Sequence, residues 1–227
     1  MNLGRSLSFA FRAPDAAPKL LVGGLLTLLF PTVFFGFVVA GYVTRVLCNA
    51  LEGRDGALPP WKNFASLFSE GVAPLMVVLV YHLPLFLLYA FKVAVLSPDH
   101  AIRPDLLLAI AGLALATVGG FLAPAAVLRL VLIGQPKAAF DMPRIFSFIS
   151  RNFVRYTTTW ALSVLCYAAA MFCIVGLVVG LFFGIFISLV ISAHLYAQMY
   201  RASKSFSDDV EGEARASIAL PPPLSPK

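Results

Sequence analysis

Charge is scarce in this chain. Asp, Glu, Lys and Arg make up 12% of its 227 residues, against roughly 25% in a soluble domain. Hydrophobic residues reach 60%, with a mean hydropathy of +0.89. A water-soluble fold is excluded, because this much apolar surface exceeds what a core of such size can bury. Acidic residues are rarer than basic ones, 11 against 17, for a net charge of +6. The basic surplus flanks apolar runs without forming a separate aromatic-basic surface, so nucleic acid is not an expected partner. Cysteine and histidine number three each. Cys48, Cys166 and Cys173 form no close ligand pair, and His82, His100 and His194 form no HExxH arrangement, so no metal site is expected. Cys166 and Cys173 stand two helical turns apart, too far for a disulfide, and read as small packing residues. A Walker loop, a dinucleotide fingerprint and a nucleophile elbow are also missing. The expectation is a protein that is not an enzyme, with no catalytic residue and no cofactor. Residues 1–19 lack the apolar run and cleavage site of a signal peptide, so this segment is expected to remain on the mature protein.

Long apolar runs are what the chain has. Residues 72–96 and 106–133 are each long enough, at 1.5 Å per residue, to cross about 30 Å of hydrocarbon. Residues 156–200 are about twice that length and must fold back on themselves through a turn within 171–180. The run at 20–47 is interrupted by Gly23, Gly24, Pro31, Gly36 and Gly41. It reads either as one kinked helix or as a re-entrant hairpin turning near Pro31, since proline leaves a carbonyl without its helical donor.

Basic residues favour the hairpin. Fifteen of the 17 Lys and Arg residues fall on one side if residues 20–47 return to their starting side and four helices then cross, leaving only Lys92 and Arg103 opposite. Basic segments mark the cytoplasmic face, which places both termini and residues 48–70 and 134–155 there. The fold class expected is an all-α polytopic bundle: four full spans, an N-terminal kinked or re-entrant segment, and a cytoplasmic interfacial helix. The domain reading is 1–19 as a cytoplasmic segment with a short interfacial helix, 20–204 as the membrane domain, and 205–227 as a disordered acidic, proline-rich tail.

Residues 136–153 set Phe140, Ile145, Phe146, Phe148, Ile149 and Phe153 among Lys137, Asp141, Arg144 and Arg151. That pattern fits an amphipathic helix in the headgroup region, facing anionic lipid. From residue 176 a small residue returns every fourth position, at Gly176, Gly180, Gly184, Ser188 and Ser192. Such a ridge lets another helix backbone approach in lipid. Packing within one subunit is favoured over a homo-oligomer contact, with Ala109, Gly112, Ala116, Gly119, Gly120 and Ala123 as the expected facing surface.

His82 and Pro84 interrupt the run at 72–96. An ionisable side chain inside the membrane is a functional candidate by default, yet a neutral histidine bonded to a neighbouring helix is the favoured reading over a proton carrier. Lys92 and Arg129 are expected to snorkel towards the headgroups, and His194 in the same way. Around residue 45, Gly41 permits close packing beside Tyr42, Arg45 reaches for phosphate, and Asn49 satisfies frayed backbone groups. Gly53 or Gly56 supplies a positive φ, and Pro59 and Pro60 stop the helix before Trp61, an interfacial anchor.

These residues carry a resemblance. The series Gly41-Tyr42, Arg45, Asn49, Gly53, Leu58-Pro59-Pro60-Trp61, Asn63, Phe68 and Gly71 resembles the DUF4013 family of prokaryotic integral membrane proteins. Tyr81, Leu83-Pro84, Ala139-Phe140-Asp141, residues 152–156 and Tyr196 extend it. The family's usual turn has an acidic residue where Pro60 stands. The resemblance implies a multi-span protein without an assigned activity, in the prokaryotic cytoplasmic membrane. Gly41, Tyr42, Arg45, Asn49, Pro59, Trp61, His82 and Pro84 are the candidate lipid or solute contacts, and Gly176, Gly180 and Gly184 the packing residues. A structural or accessory role is expected, with a small-solute or lipid transporter using residues 20–47 and His82/Pro84 as the alternative. Expected partners are membrane lipids, anionic ones among them, and either a second copy or another membrane protein.

Overall fold

Helix accounts for nearly every described residue of the computed structural model, which describes residues 3–11, 15–29, 33–54, 57–96, 106–173 and 178–203. Pro31, His100, Arg103, Gly176 and the 205–227 tail lie outside them. The helices are α1 (Leu3–Phe11), α2 (Ala16–Leu28), α3 (Val33–Leu51), α4 (Phe64–Phe91), α5 (Leu106–Ile133), α6 (Met142–Arg151), α7 (Phe153–Phe172) and α8 (Val178–Ala202). A π-helical turn, Lys92–Leu96, continues α4, and a 3-10 turn, Pro136–Phe140, precedes α6. The fold is an all-α bundle, and four described helices are long and apolar enough to cross a membrane: Phe34–Leu51, Phe64–Ala94, Leu106–Ile133 and Val179–Ala202.

This set differs in one member from the spans read off the sequence. α3 qualifies, whereas α7 does not: its 20 residues give about 30 Å, but Arg155 and the Thr157-Thr158-Thr159 run dilute its apolar character. α4 begins two turns earlier than its apolar run, because Asn63 adopts φ 57° and accepts from the Ser66 amide to cap it.

Residues 20–47 form two helices and not one. α2 has 13 residues, too few to cross hydrocarbon alone. Its first turn is tied to the segment after α3, since Lys19 Nζ donates to the Leu58 carbonyl at 2.6 Å and Trp61 Nε1 donates to the Lys19 carbonyl at 2.9 Å. The chain thus comes back to where α2 began. Arg201 of α8 donates to the Ala50 carbonyl at 3.2 Å, and Arg155 of α7 to the Ala202 carbonyl. These contacts gather the basic ends of α2, α3, α7 and α8 together.

Small residues decide how closely the helices approach. A Cβ placed on Gly41 would lie 1.8 Å from the Leu67 carbonyl oxygen, and one on Gly71 1.9 Å from that of Phe37. α3 and α4 therefore cross backbone against backbone. The α8 ridge meets α7: Gly180 lies against the Cys173 carbonyl, Gly184 against Ala170, and Ser188 Oγ donates to the Cys166 carbonyl at 2.9 Å. This corrects the facing surface expected from the sequence. The α5 band is occupied by α4, with Gly112 against Tyr89 and Gly119 against the Tyr81 carbonyl and the His82 ring. The contacts from Gly180–Cys173 to Ser188–Cys166 run antiparallel along α7, so this part of the ridge is taken up by α7. Gly23 and Gly24 of α2 receive the rings of Phe186 and Phe183.

The two short amphipathic helices dock on this frame. α6 turns Ile145, Phe148 and Ile149 inward and leaves Phe146, Arg144 and Arg151 exposed. α1 buries Ser6, Phe9 and Ala10, with Phe9 stacked on His194 at 4.4 Å. His194 is fully buried beside Ser6 and Gln198, so it does not snorkel.

Candidate functional site

The residues of the Gly41 to Gly71 series converge. Consecutive helix positions point about 100° apart, so Gly41 faces α4 while Tyr42 turns away from it. Tyr42 is fully buried and stacks on Trp61 at 3.8 Å, the rings 9° from parallel. Its hydroxyl donates to the Pro59 carbonyl at 3.0 Å. Residues 58–63 run without helix here because Pro59 and Pro60 forbid it, which leaves the carbonyls of Leu58 and Pro59 free for Lys19 and Tyr42. Asp15 accepts from Lys19 at 2.7 Å, and that partner holds its carboxyl below the usual range. Trp61 is consequently an internal brace, half-buried, in place of the bilayer anchor expected from the sequence. Buried indole and phenol groups need hydrogen-bond partners, and both have them.

Arg45 is likewise committed within the protein. Its Nε and Nη2 fork onto Glu70 at 2.6 and 2.7 Å, and Ser66 Oγ bridges the two. Such a bidentate pair is directional as well as charged. The phosphate-seeking arginine expected from the sequence is therefore a partnered one, with Nη1 left a long contact of 3.4 Å to the Lys62 carbonyl. Asn49 accepts from Arg54 at 3.1 Å at the end of α3, and Gly53 there takes φ 78°. Arg129 also departs from expectation: it is 2% exposed, donating to the Ala138 carbonyl at 3.1 Å and to Asp141 at 3.4 Å.

His82 and Pro84 stand apart from this cluster. The His82 Nδ1–H donates to the Val78 carbonyl of its own helix at 2.8 Å, and the ring leans on Gly119 of α5. Pro84 is exposed on α4. Neither lines any of the cavities described next.

Two adjoining cavities lie beside the Arg45–Glu70 pair. One, of about 420 Å³, is lined by residues that include Thr27 of α2, Gly36 and Ala40 of α3, Pro74 of α4, Val127 of α5 and Phe182 of α8. It is apolar, because the hydroxyls of Thr27 and Thr44 are spent on their own helix carbonyls. The other, of about 280 Å³, is shallow and carries Arg45, Cys48 and Glu70. Thr44 and Pro74 line both, so the two spaces are neighbours. The sequence reading found Arg45 but missed this arrangement, since its apolar lining comes from five helices. Among the described residues no group of three or more His, Cys, Asp or Glu is placed to hold a metal ion.

A family model described as a protein of unknown function, DUF4013, matches residues 24–183. No curated protein and no solved structure matches the chain.

Proposed function

The chain belongs to the DUF4013 family, and from that premise we propose that it is a structural or accessory integral membrane protein, without catalytic activity, that holds a membrane phospholipid. The observation that carries this reading is that the apolar cavity and the hollow at the Arg45–Glu70 pair lie side by side, with Thr44 and Pro74 lining both. An acyl chain occupies the apolar space, and the phosphate meets the Nη1 edge of Arg45. Glu70 neutralises the same guanidinium, so the rim favours a zwitterionic headgroup, while the exposed Lys62 and Arg144 attract anionic lipid nearby. The protein sits in the prokaryotic cytoplasmic membrane with both termini and the basic segments inside, as the gathering of basic ends and the positive-inside tendency support.

The test is lipid retention. Purified in mild detergent and released for native mass spectrometry, the chain should carry about one phospholipid per copy. Ala40→Leu, which fills the cavity, should remove it, and Arg45→Gln should weaken it. A chain that retains no phospholipid, or retains it equally in both variants, overturns the reading.

One observation favours a lipid or small-solute transporter as a second reading. Thr27 and Gly36, on either side of the break between α2 and α3, both line the apolar cavity, and interrupted helices line many transport sites. Flux in proteoliposomes that falls in Gly36→Leu, which fills the cavity beside that break, would support it, and absence of flux sets it aside.

A further inference from the structure

The hollow beside the Arg45–Glu70 pair, of about 280 Å³, brings Arg45 of α3 and Glu70 and Pro74 of α4 together with Val131 and Gly134 at the end of α5. Among its described lining residues Arg45 is the one cation, Glu70 is the one anion, and none is aromatic. These three facts bear on which headgroup fits.

Hydrogen-bond capacity in the hollow lies on the acceptor side. A carboxylate accepts about four bonds, and Glu70 takes three: Oε1 from Arg45 Nη2 and Ser66 Oγ, each at 2.7 Å, and Oε2 from Arg45 Nε at 2.6 Å. Its Oε2 therefore keeps one place open. Pro74 stands inside α4 and has no N–H, so the Glu70 carbonyl, four residues earlier, is without its helical donor. A backbone acceptor thus joins the carboxylate on one residue.

The end of α5 adds to both. Gly134, at φ 72°, turns the chain out of the helix, and its amide donates to the Leu130 carbonyl at 2.8 Å. The carbonyl of Val131, next in order, has no residue left in the helix to donate to it, and the helix end carries partial negative charge. Donors are few by comparison. Thr44 spends its hydroxyl on the Ala40 carbonyl, and Arg45 retains only its Nη1 edge, with one long contact of 3.4 Å to the Lys62 carbonyl.

We infer, resting on the phospholipid reading above, that the lipid held here is a phosphatidylethanolamine. Its primary ammonium brings three N–H donors, as a lysine does, to Glu70 and the open carbonyls, while its phosphate takes the Nη1 edge of Arg45. Phosphatidylcholine is the poorer fit, because a quaternary ammonium has no N–H and is held by aromatic faces, which this lining lacks. Phosphatidylglycerol brings net negative charge to a carboxylate and the negative end of a helix. Both are disfavoured by the same wall.

The full chain, purified in mild detergent and stripped of lipid, is offered equal amounts of dioleoylphosphatidylethanolamine, its N-methyl and N,N-dimethyl forms, dioleoylphosphatidylcholine and dioleoylphosphatidylglycerol, and bound species are identified by native mass spectrometry. Occupancy should fall with each methyl group, to about tenfold less for phosphatidylcholine. Glu70→Gln keeps the shape, removes the charge and should move the preference to phosphatidylglycerol, since Arg45 is then unopposed. Glycerophosphoethanolamine, the same head without acyl chains, should not displace the lipid at equal concentration. Equal occupancy along the methylation series, or a wild-type preference for phosphatidylglycerol, overturns this inference and leaves the phospholipid reading standing. An unchanged preference in Glu70→Gln does the same, and displacement by the free head assigns the hollow to a soluble phosphoethanolamine instead. Binding of none of the five removes both readings. The methylation series uses the wild-type chain, so it decides the matter even if the variant does not fold.

Discussion

Gly41→Ala adds one methyl group and should destabilise this protein about as much as a mild core truncation. The new Cβ would sit 1.8 Å from the Leu67 carbonyl oxygen, 2.7 Å from its carbon and 3.1 Å from the Gly71 nitrogen. Side-chain contacts essentially never fall below 3.0 Å, and all three neighbours are backbone, so no rotamer change relieves the clash. α3 and α4 must separate by roughly an ångström, loosening the Arg45–Glu70 fork that joins them. Overpacking costs about 1–3 kcal/mol, and a backbone-to-backbone clash belongs at the top of that range. Against it stands a gain of up to about 1 kcal/mol from replacing glycine by alanine in a helix, leaving a net loss of about 2 kcal/mol. For a chain of this size that is a fall in Tm of roughly 4–8 °C, readable by thermal unfolding in detergent with size-exclusion detection. Gly120→Ala is the matched control, because nothing lies within 4 Å of its Cβ, and its Tm should hold or rise. Gly71→Ala opens the same crossing, so the double variant should cost less than the two single losses added. Equal Tm values for Gly41→Ala and Gly120→Ala would refute the reasoning.

Three further outcomes can be checked. Arg129→Ala removes the buried guanidinium and leaves the Ala138 carbonyl without this donor, while Asp141 keeps Arg144, and should cost about 1–3 kcal/mol, measured by the same unfolding assay, whereas Asp141→Asn, which leaves the buried guanidinium without its carboxylate, should cost at least as much. Gly180→Leu should lower folded yield on size exclusion without changing oligomeric state, since the α8 ridge packs on α7 of the same chain; a shift in oligomeric state with full yield would place the ridge at an interface between copies. Single cysteines replacing Arg12 and Lys62 should react with a membrane-impermeant thiol reagent from the same side, and labelling from opposite sides would break the topology.

What could be read in the sequence was set by local physics. Apolar run length marked α5, α8 and most of α4; Pro31 and the glycines around it marked a break where two helices now stand; and alternating cations and aromatics marked α6. What could not be read was partnership across distance. Arg45 and Arg129 both looked like snorkelling cations, because their acceptors lie 25 and 12 residues further along the chain. Glu70 hid the first turns of α4 for the same reason: a lone carboxylate disqualifies a span until its arginine is known. The spacing of Gly180, Gly184 and Ser188 declared that a helix would approach and was silent about which one.

The same argument explains why the residues of the Gly41 to Gly71 series form one unit, although they are scattered over two helices and a loop. Gly41 admits α4, and Tyr42, a third of a turn round the helix, locks residues 58–63 against the opposite flank. Arg45, one turn on, pins the first turns of α4 through Glu70. α3 is thus wedged between two neighbours by adjacent residues with opposite requirements, one for no side chain and the other for a large one. A wedge of this kind fixes the wall of the apolar cavity beside it, since Gly36, Ala40 and Thr44 lie on the same helix. The residues that look most like a site in the sequence build the frame of that cavity.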